Sequence, residues 1–161
     1  MGKMVRLFLL GVVFVTVGCG GSSKPTAVSS VGDLSDTSAK GILAYIQKGD
    51  YKQWKAEAGI HDSKGPHGMV RSFFNPTVVD SINAKQSAHP KGSMVVKELY
   101  KGDGKTLDGY AFMVKTAEGS GGDTWLWFEG LSPDYNQYYG QGLTTCTGCH
   151  GSGTDSVISS P

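Results

Sequence analysis

The chain has 161 residues and a mass of 17.0 kDa, enough for one domain with a core of its own. Hydrophobic residues make up 39% and the formal charge is +1, which excludes a nucleic-acid partner or a polybasic membrane footprint. Twenty-four glycines predict many turns and few long helices, and the three cysteines leave no pair for a structural disulfide once each is assigned below.

In chain order, residues 1–18 read as a lipoprotein signal peptide. Lys3 and Arg6 form a basic start, and Leu7 to Val17 is an apolar run too short to span a bilayer as a mature helix. Thr16-Val17-Gly18-Cys19 is similar to a bacterial lipobox, with small Gly18 in place and Thr16 departing from the usual Leu. The expected outcome is cleavage before Cys19 and lipidation of its thiol; the competing reading is ordinary cleavage nearby with Cys19 unmodified. An exported cysteine without a partner favours lipidation. This predicts a lipid-anchored protein on the periplasmic side of a bacterial membrane. Residues 19–34, rich in Gly, Ser, Pro and Thr, read as a flexible tether, which leaves 35–161 as the folded domain.

A first helix is expected from Asp36 or Ser38, with Ile42, Tyr45 and Ile46 as its apolar stripe and Gly49 as its C-cap. Asp50 opens a second short helix carrying Tyr51 and Trp54. The periodicity then changes. Met69 to Phe74 reads as a strand stopped by Asn75-Pro76, and Thr77 to Ala84 as a short helix with Val78, Val79 and Ile82 inward. His89 to Gly92 is a turn, Ser93 to Tyr100 a strand, and Tyr110 to Ala117 its hairpin partner. Thr124 to Glu129 is a third long strand, and Leu131 to Gly142 an aromatic loop. The fold class is therefore α+β, mainly β: an antiparallel sheet with one or two N-terminal helices and a C-terminal attachment segment.

That segment is Cys146-Thr147-Gly148-Cys149-His150. The pattern C-x-x-C-H is the attachment sequence of a c-type haem: two thiols on one helical turn each add across a vinyl group, and the following histidine binds the iron. Cys146, Cys149 and His150 are thus the cofactor-binding residues for one covalent haem c, with His150 the metal ligand. A redox dithiol or half of a zinc site are the competing readings. The order of elements excludes two cytochrome plans. Small electron-transfer cytochromes carry the motif early, with a methionine ligand far downstream. The four-helix cytochromes c′ precede it with four long amphipathic helices.

A C-terminal C-x-x-C-H after several antiparallel strands resembles the cytochrome P-460 family and its relative cytochrome c′-beta. The residues that carry the resemblance are His67-Gly68-x-Val70-Arg71, His89 to Glu98, Met113-Val114-Lys115, Trp125 to Phe128 and the haem motif, over roughly 37–150. The resemblance implies a mostly β fold, often a homodimer, with a five-coordinate haem c. It also implies either hydroxylamine oxidation or nitric oxide binding, and a redox partner protein in the periplasm. In the enzymes of that family a lysine is cross-linked to the porphyrin edge and a distal carboxylate assists proton transfer. Lys97 is the first candidate for that lysine and Lys91 the second; the favoured competing reading is a strand lysine facing solvent or snorkelling past the sheet. Gln141 stands where the family acid is expected and cannot shuttle a proton as an acid can. Arg71 is a candidate donor to a bound ligand or a haem propionate, with a surface salt bridge as the alternative. Phe73 and Phe74 are candidates for a distal wall, with a core role for at least one the safer reading. His61, His67 and His89 are candidate sixth ligands, each more often a surface residue or hydrogen-bond partner. Two function classes remain: a ligand-handling or catalytic cytochrome with an open distal site, and an electron-transfer cytochrome with both axial positions filled.

Overall fold

The computed structural model of the chain describes residues 31–135 and 137–161. The expected signal peptide, Cys19 and most of the expected tether lie outside the described residues. Helix α1 (Ala39–Lys48) starts where Ser38 accepts a hydrogen bond from the Gly41 N–H and stops at Gly49, whose φ of 84° only glycine adopts without strain. A 3-10 turn at Asp50–Gln53 follows directly, with Gly49 rather than Asp50 at its N-cap position. Two short strands, β1 (Lys55–Ala56) and β2 (His61–Asp62), both pair with β3 (Met69–Phe74). Helix α2 (Pro76–Asn83) is capped by Asn75, with Pro76 in the first turn where a missing N–H costs nothing.

Four further strands complete the sheet: β4 (Met94–Tyr100), β5 (Leu107–Lys115), β6 (Trp125–Leu131) and β7 (Tyr138–Gln141). Among the described residues there are seven strands in one sheet, all pairings antiparallel, in the order β1-β3-β4-β5-β6-β7 with β2 also on β3. Strand β7 occupies part of the segment expected as an aromatic loop. Helix α3 (Thr144–His150) carries the C-x-x-C-H sequence.

The pleat divides the core in two. Val96, Phe112, Val114, Leu126 and Phe128 point to the face covered by α1, where Ile42, Ile46 and Tyr51 are buried against them. Val95, Met113, Trp125 and Trp127 point to the other face, covered by α2, α3 and the tail through Val78, Leu143, Cys146 and Val157. Val31 and Leu34, which composition assigns to the tether, are 4% and 1% exposed in the first core, so the folded unit begins by Val31 and not at residue 35.

Asn75 joins α2 to β4. Its Oδ1 accepts from Val78 N–H at 3.1 Å and Met94 N–H at 3.0 Å, and its Nδ2 donates to Gly92 O at 2.8 Å, all buried. Asn75→Ala removes a helix cap and leaves buried backbone groups without partners, so it should cost about 2–4 kcal/mol. A urea midpoint lowered at constant slope is the expected result; an unchanged midpoint would show that water replaces the side chain there.

Candidate functional site

Helix α3 places Cys146 and Cys149 three residues apart on one turn, with His150 directly after. All three line a cavity of about 340 Å³ between α3, the sheet and the tip of the β2–β3 hairpin. Both thiols are free. His150 is 9% exposed and its ring packs on the edge of Trp127, with centres 4.8 Å apart. Its Nδ1 lies 2.9 Å from Ser156 O. A carbonyl only accepts, so Nδ1 carries the proton and Nε2 is the ring nitrogen with its lone pair free. Burial, above all, pushes the His150 pKa down to about 4, which keeps the imidazole neutral and competent as a ligand.

The thiols argue against the competing readings. Burial, reinforced by Glu129 and Cys149, pushes the Cys146 thiol up to about 11, whereas a reactive dithiol needs a thiolate. Among the described residues, no group of three or more His, Cys, Asp or Glu side chains is arranged to hold a metal ion on its own. Two thiols on one turn, a neutral imidazole with its far nitrogen already engaged, and apolar walls from Val95, Met113, Trp127 and Val157 are the donor set and surroundings that a haem requires.

One corner of the cavity is polar. Lys97, Ala111 and Glu129 are successive partners across β4, β5 and β6, so they share a face and form one transverse row. Ala111 leaves open the space between its two longer neighbours. Lys97 is 8% exposed, and burial lowers its amine below the ordinary lysine range, against weaker opposing fields from Glu57 and Glu129. His67, from the hairpin tip, brings Nδ1 to 3.3 Å from Glu129 Oε2. The tip is closed by a 2.7 Å hydrogen bond from Ser63 N–H to Gly68 O.

Comparison with protein families gives a match to Cytochrome P460 over residues 48–158. The chain belongs to the cytochrome P460 family. No curated protein matches it. The family implies a haem cofactor, and the cavity bounded by α3 has the residues to receive one.

Within this P460 fold the expected site residues separate. Lys97 lies in the cavity wall, which overturns the solvent-facing reading. Arg71 pairs in register with Glu98, one step from the Ser72–Lys97 pair, and therefore lies on the opposite face. There it donates to Glu57 O at 3.1 Å and stacks over Phe73. Gln141 also lies on that face, opposite Leu126, and its amide bonds Thr116 and the Asp123 carbonyl. Neither reaches the cavity. Phe73 and Phe74 are both core, one on each face of the sheet. His61 is on the surface beside Glu57, and His89 is buried against Ser81; of the three candidate histidines only His67 lines the cavity.

Glu129 is the residue that sequence reasoning missed. Its signal was its parity: it follows Trp125 and Trp127 at steps of two, so it shares their inward face.

The buried Lys97 amine makes a prediction. A lysine whose folded pKa is depressed binds fewer protons than in the unfolded chain, so stability rises with pH toward the unfolded value of about 10.4. In the chain prepared without haem, Lys97→Met should therefore raise the unfolding midpoint at pH 7, and the gain should shrink as pH approaches 10. A variant less stable than wild type at pH 7 would show that the charged amine is well paired.

Proposed function

We propose that this P460 chain carries one covalent haem c through Cys146 and Cys149, with His150 as its axial ligand, and that it binds small nitrogen compounds of the hydroxylamine and nitric oxide class beside Glu129 and His67. The observation that carries this reading is the convergence of the two thiols, the neutral imidazole, Lys97 and the Glu129–His67 pair on one cavity. When bound, a haem supplies one-electron chemistry and a coordination position at iron. The chain's residues supply the rest. Apolar walls from Val95, Met113 and Trp127 exclude water from the reacting region. The Glu129 carboxylate accepts a proton from a bound hydroxylamine N–H or O–H and passes it by way of His67, at the cavity rim, toward solvent.

The absence of an acid near Gln141 speaks against hydroxylamine oxidation only if no other carboxylate reaches the cavity, and Glu129 lines it. Lys97 completes the pair of residues that resemblance to the family's enzymes requires. Burial favours its neutral, nucleophilic amine, suited to bonding at a porphyrin edge. This supports oxidation of hydroxylamine over nitric oxide binding alone. We place the protein on the periplasmic side of the membrane, anchored through Cys19 and passing electrons to a soluble redox partner; the apolar leader, Gly18 and the sequence of residues 19–30 support this. A homodimer is consistent with the same resemblance.

Intact mass and absorption of the purified protein test the covalent chemistry. The mature chain should begin at an acylated Cys19 and carry one haem that survives denaturing electrophoresis, lost in Cys146→Ala/Cys149→Ala. Its Soret band should be red-shifted, returning to an ordinary haem c position in Lys97→Ala. Haem staining that persists in the double cysteine variant would refute the attachment. A normal Soret band in wild type would remove the Lys97 bond and leave nitric oxide binding as the function.

The proton-transfer role has its own measurement. Glu129→Gln should slow hydroxylamine oxidation by about 10²–10⁴-fold while haem content is unchanged. Wild-type turnover in that variant would exclude Glu129 from the reaction.

One observation favours the electron-transfer reading. The rings of His67 and His150 have centres 6.4 Å apart. Were a haem bound, His150 would hold its iron and His67 would be near enough to supply a second nitrogen donor. If His67 fills the sixth position, the ferrous protein is low-spin, and His67→Ala converts it to a high-spin form.

A further inference from the structure

The most deeply buried charges among the described residues lie outside the polar corner. Lys115 and Asp155 have side chains with no exposure, and Lys115 Nζ donates to Asp155 Oδ2 at 2.5 Å and to Thr124 Oγ1 at 2.9 Å. The same carboxylate accepts from the backbone N–H of His89 and of Gly121, each at 2.8 Å. One side chain of the tail therefore holds the end of β5, the turn before β4 and the loop before β6. A pair buried this completely is a poor source of net stability, because desolvation offsets most of the attraction. A purpose other than stability has to be sought in what the pair holds still.

The next residue supplies it. Asp155 and Ser156 have φ values of 46° and 71°, two consecutive non-glycine residues in the left-handed region. Each is disfavoured by about 1–2 kcal/mol, so the conformation persists only where its surroundings impose it. That turn directs the Ser156 carbonyl at His150 Nδ1, 2.9 Å away. A carbonyl bonded to the far nitrogen of a metal-binding imidazole fixes its tautomer and orientation and raises its basicity toward the metal.

We propose that Lys115 and Asp155 are positioning residues for the axial histidine: the buried pair fixes the turn that holds the Ser156 carbonyl against His150 and thereby sets the donor strength of that ring toward iron. The proposal rests on the reading of His150 as the haem ligand. Neither residue touches the haem cavity, and neither is among the residues that the sequence pattern assigns to the site.

The test uses the haem-loaded protein. In Asp155→Asn and Lys115→Met the iron–histidine stretching band of the ferrous form should shift to lower frequency, and the midpoint potential should shift upward, because a weaker donor stabilises ferric iron less. Each single variant leaves a buried charge unpaired, which can prevent folding. The double variant Lys115→Met/Asp155→Leu removes both charges and carries the same two expectations. A folded double variant with wild-type band and potential overturns the proposal and reduces the pair to a staple of the tail. If His150→Ala leaves the spectrum and potential of the wild-type haem unchanged, the ligand assignment fails, and this proposal fails with it; the two failures are thus told apart by which variant is silent.

Discussion

A polar corner in this protein has to be cut into a surface that also serves as hydrophobic core, and that constraint governs the arrangement of the sheet. The face that meets α3 carries Phe74, Val95, Met113, Trp125 and Trp127, packed with Val78 and Val157. Charged groups scattered over it would be desolvated without partners, at a cost of several kcal/mol each. The chain confines them to two places. Lys97 and Glu129 stand in one row at the cavity, on either side of small Ala111. Lys115 stands at the far end of β5, where Asp155 and Thr124 engage it. Between them lies the apolar stretch against which His150 rests through Trp127.

The opposite face holds its own buried carboxylate. Glu98 accepts from the hydroxyls of Tyr51 and Tyr100, with Lys52 3.7 Å away. Desolvation and this neighbouring charge hold both tyrosines well above their ordinary range, so they remain donors at any physiological pH. Adjacent residues on β4 thus send an amine to one side of the sheet and a carboxyl group to the other. Glu98 finds its partners there, and the cavity beside α3 contains Glu129 as its acid and not Glu98.

How much of this was legible depended on whether a signal was local. Helix α1 has a capping serine, a stripe of apolar residues and a terminal glycine, all within twelve positions, and the sequence is sufficient to place it. Strands β4 to β6 are legible from their β-branched and aromatic content. Strand β7 is not: Tyr138-Tyr139-Gly140-Gln141 has no alternation of its own and is a strand because β6 pairs with it. Val31 and Leu34 lie in a Gly- and Ser-rich context that reads as linker, and only tertiary packing buries them. The site divides the same way. The attachment motif is contiguous and therefore legible without the fold. Which face of the sheet meets it is not a local property, because both parities of β4 are apolar. That ambiguity hides the face on which Arg71 lies, whereas Gln141 is hidden because its segment has no strand signal of its own, and Glu129 is marked only by its parity with Trp125 and Trp127.

The two-residue period of the sheet also limits how such a chain can change length. Val95, Met113 and Trp127 each have core residues of the opposite face on either side. One codon gained or lost inside these strands would exchange Lys97 with Glu98 or Val96, and Glu129 with Phe128 or Gly130, and would rotate the core outward along with the site. Substitution can alter this site one side chain at a time, whereas insertion cannot. The exposed turn at 101–106, which lies outside the paired rows, is where extra residues would leave both faces in register.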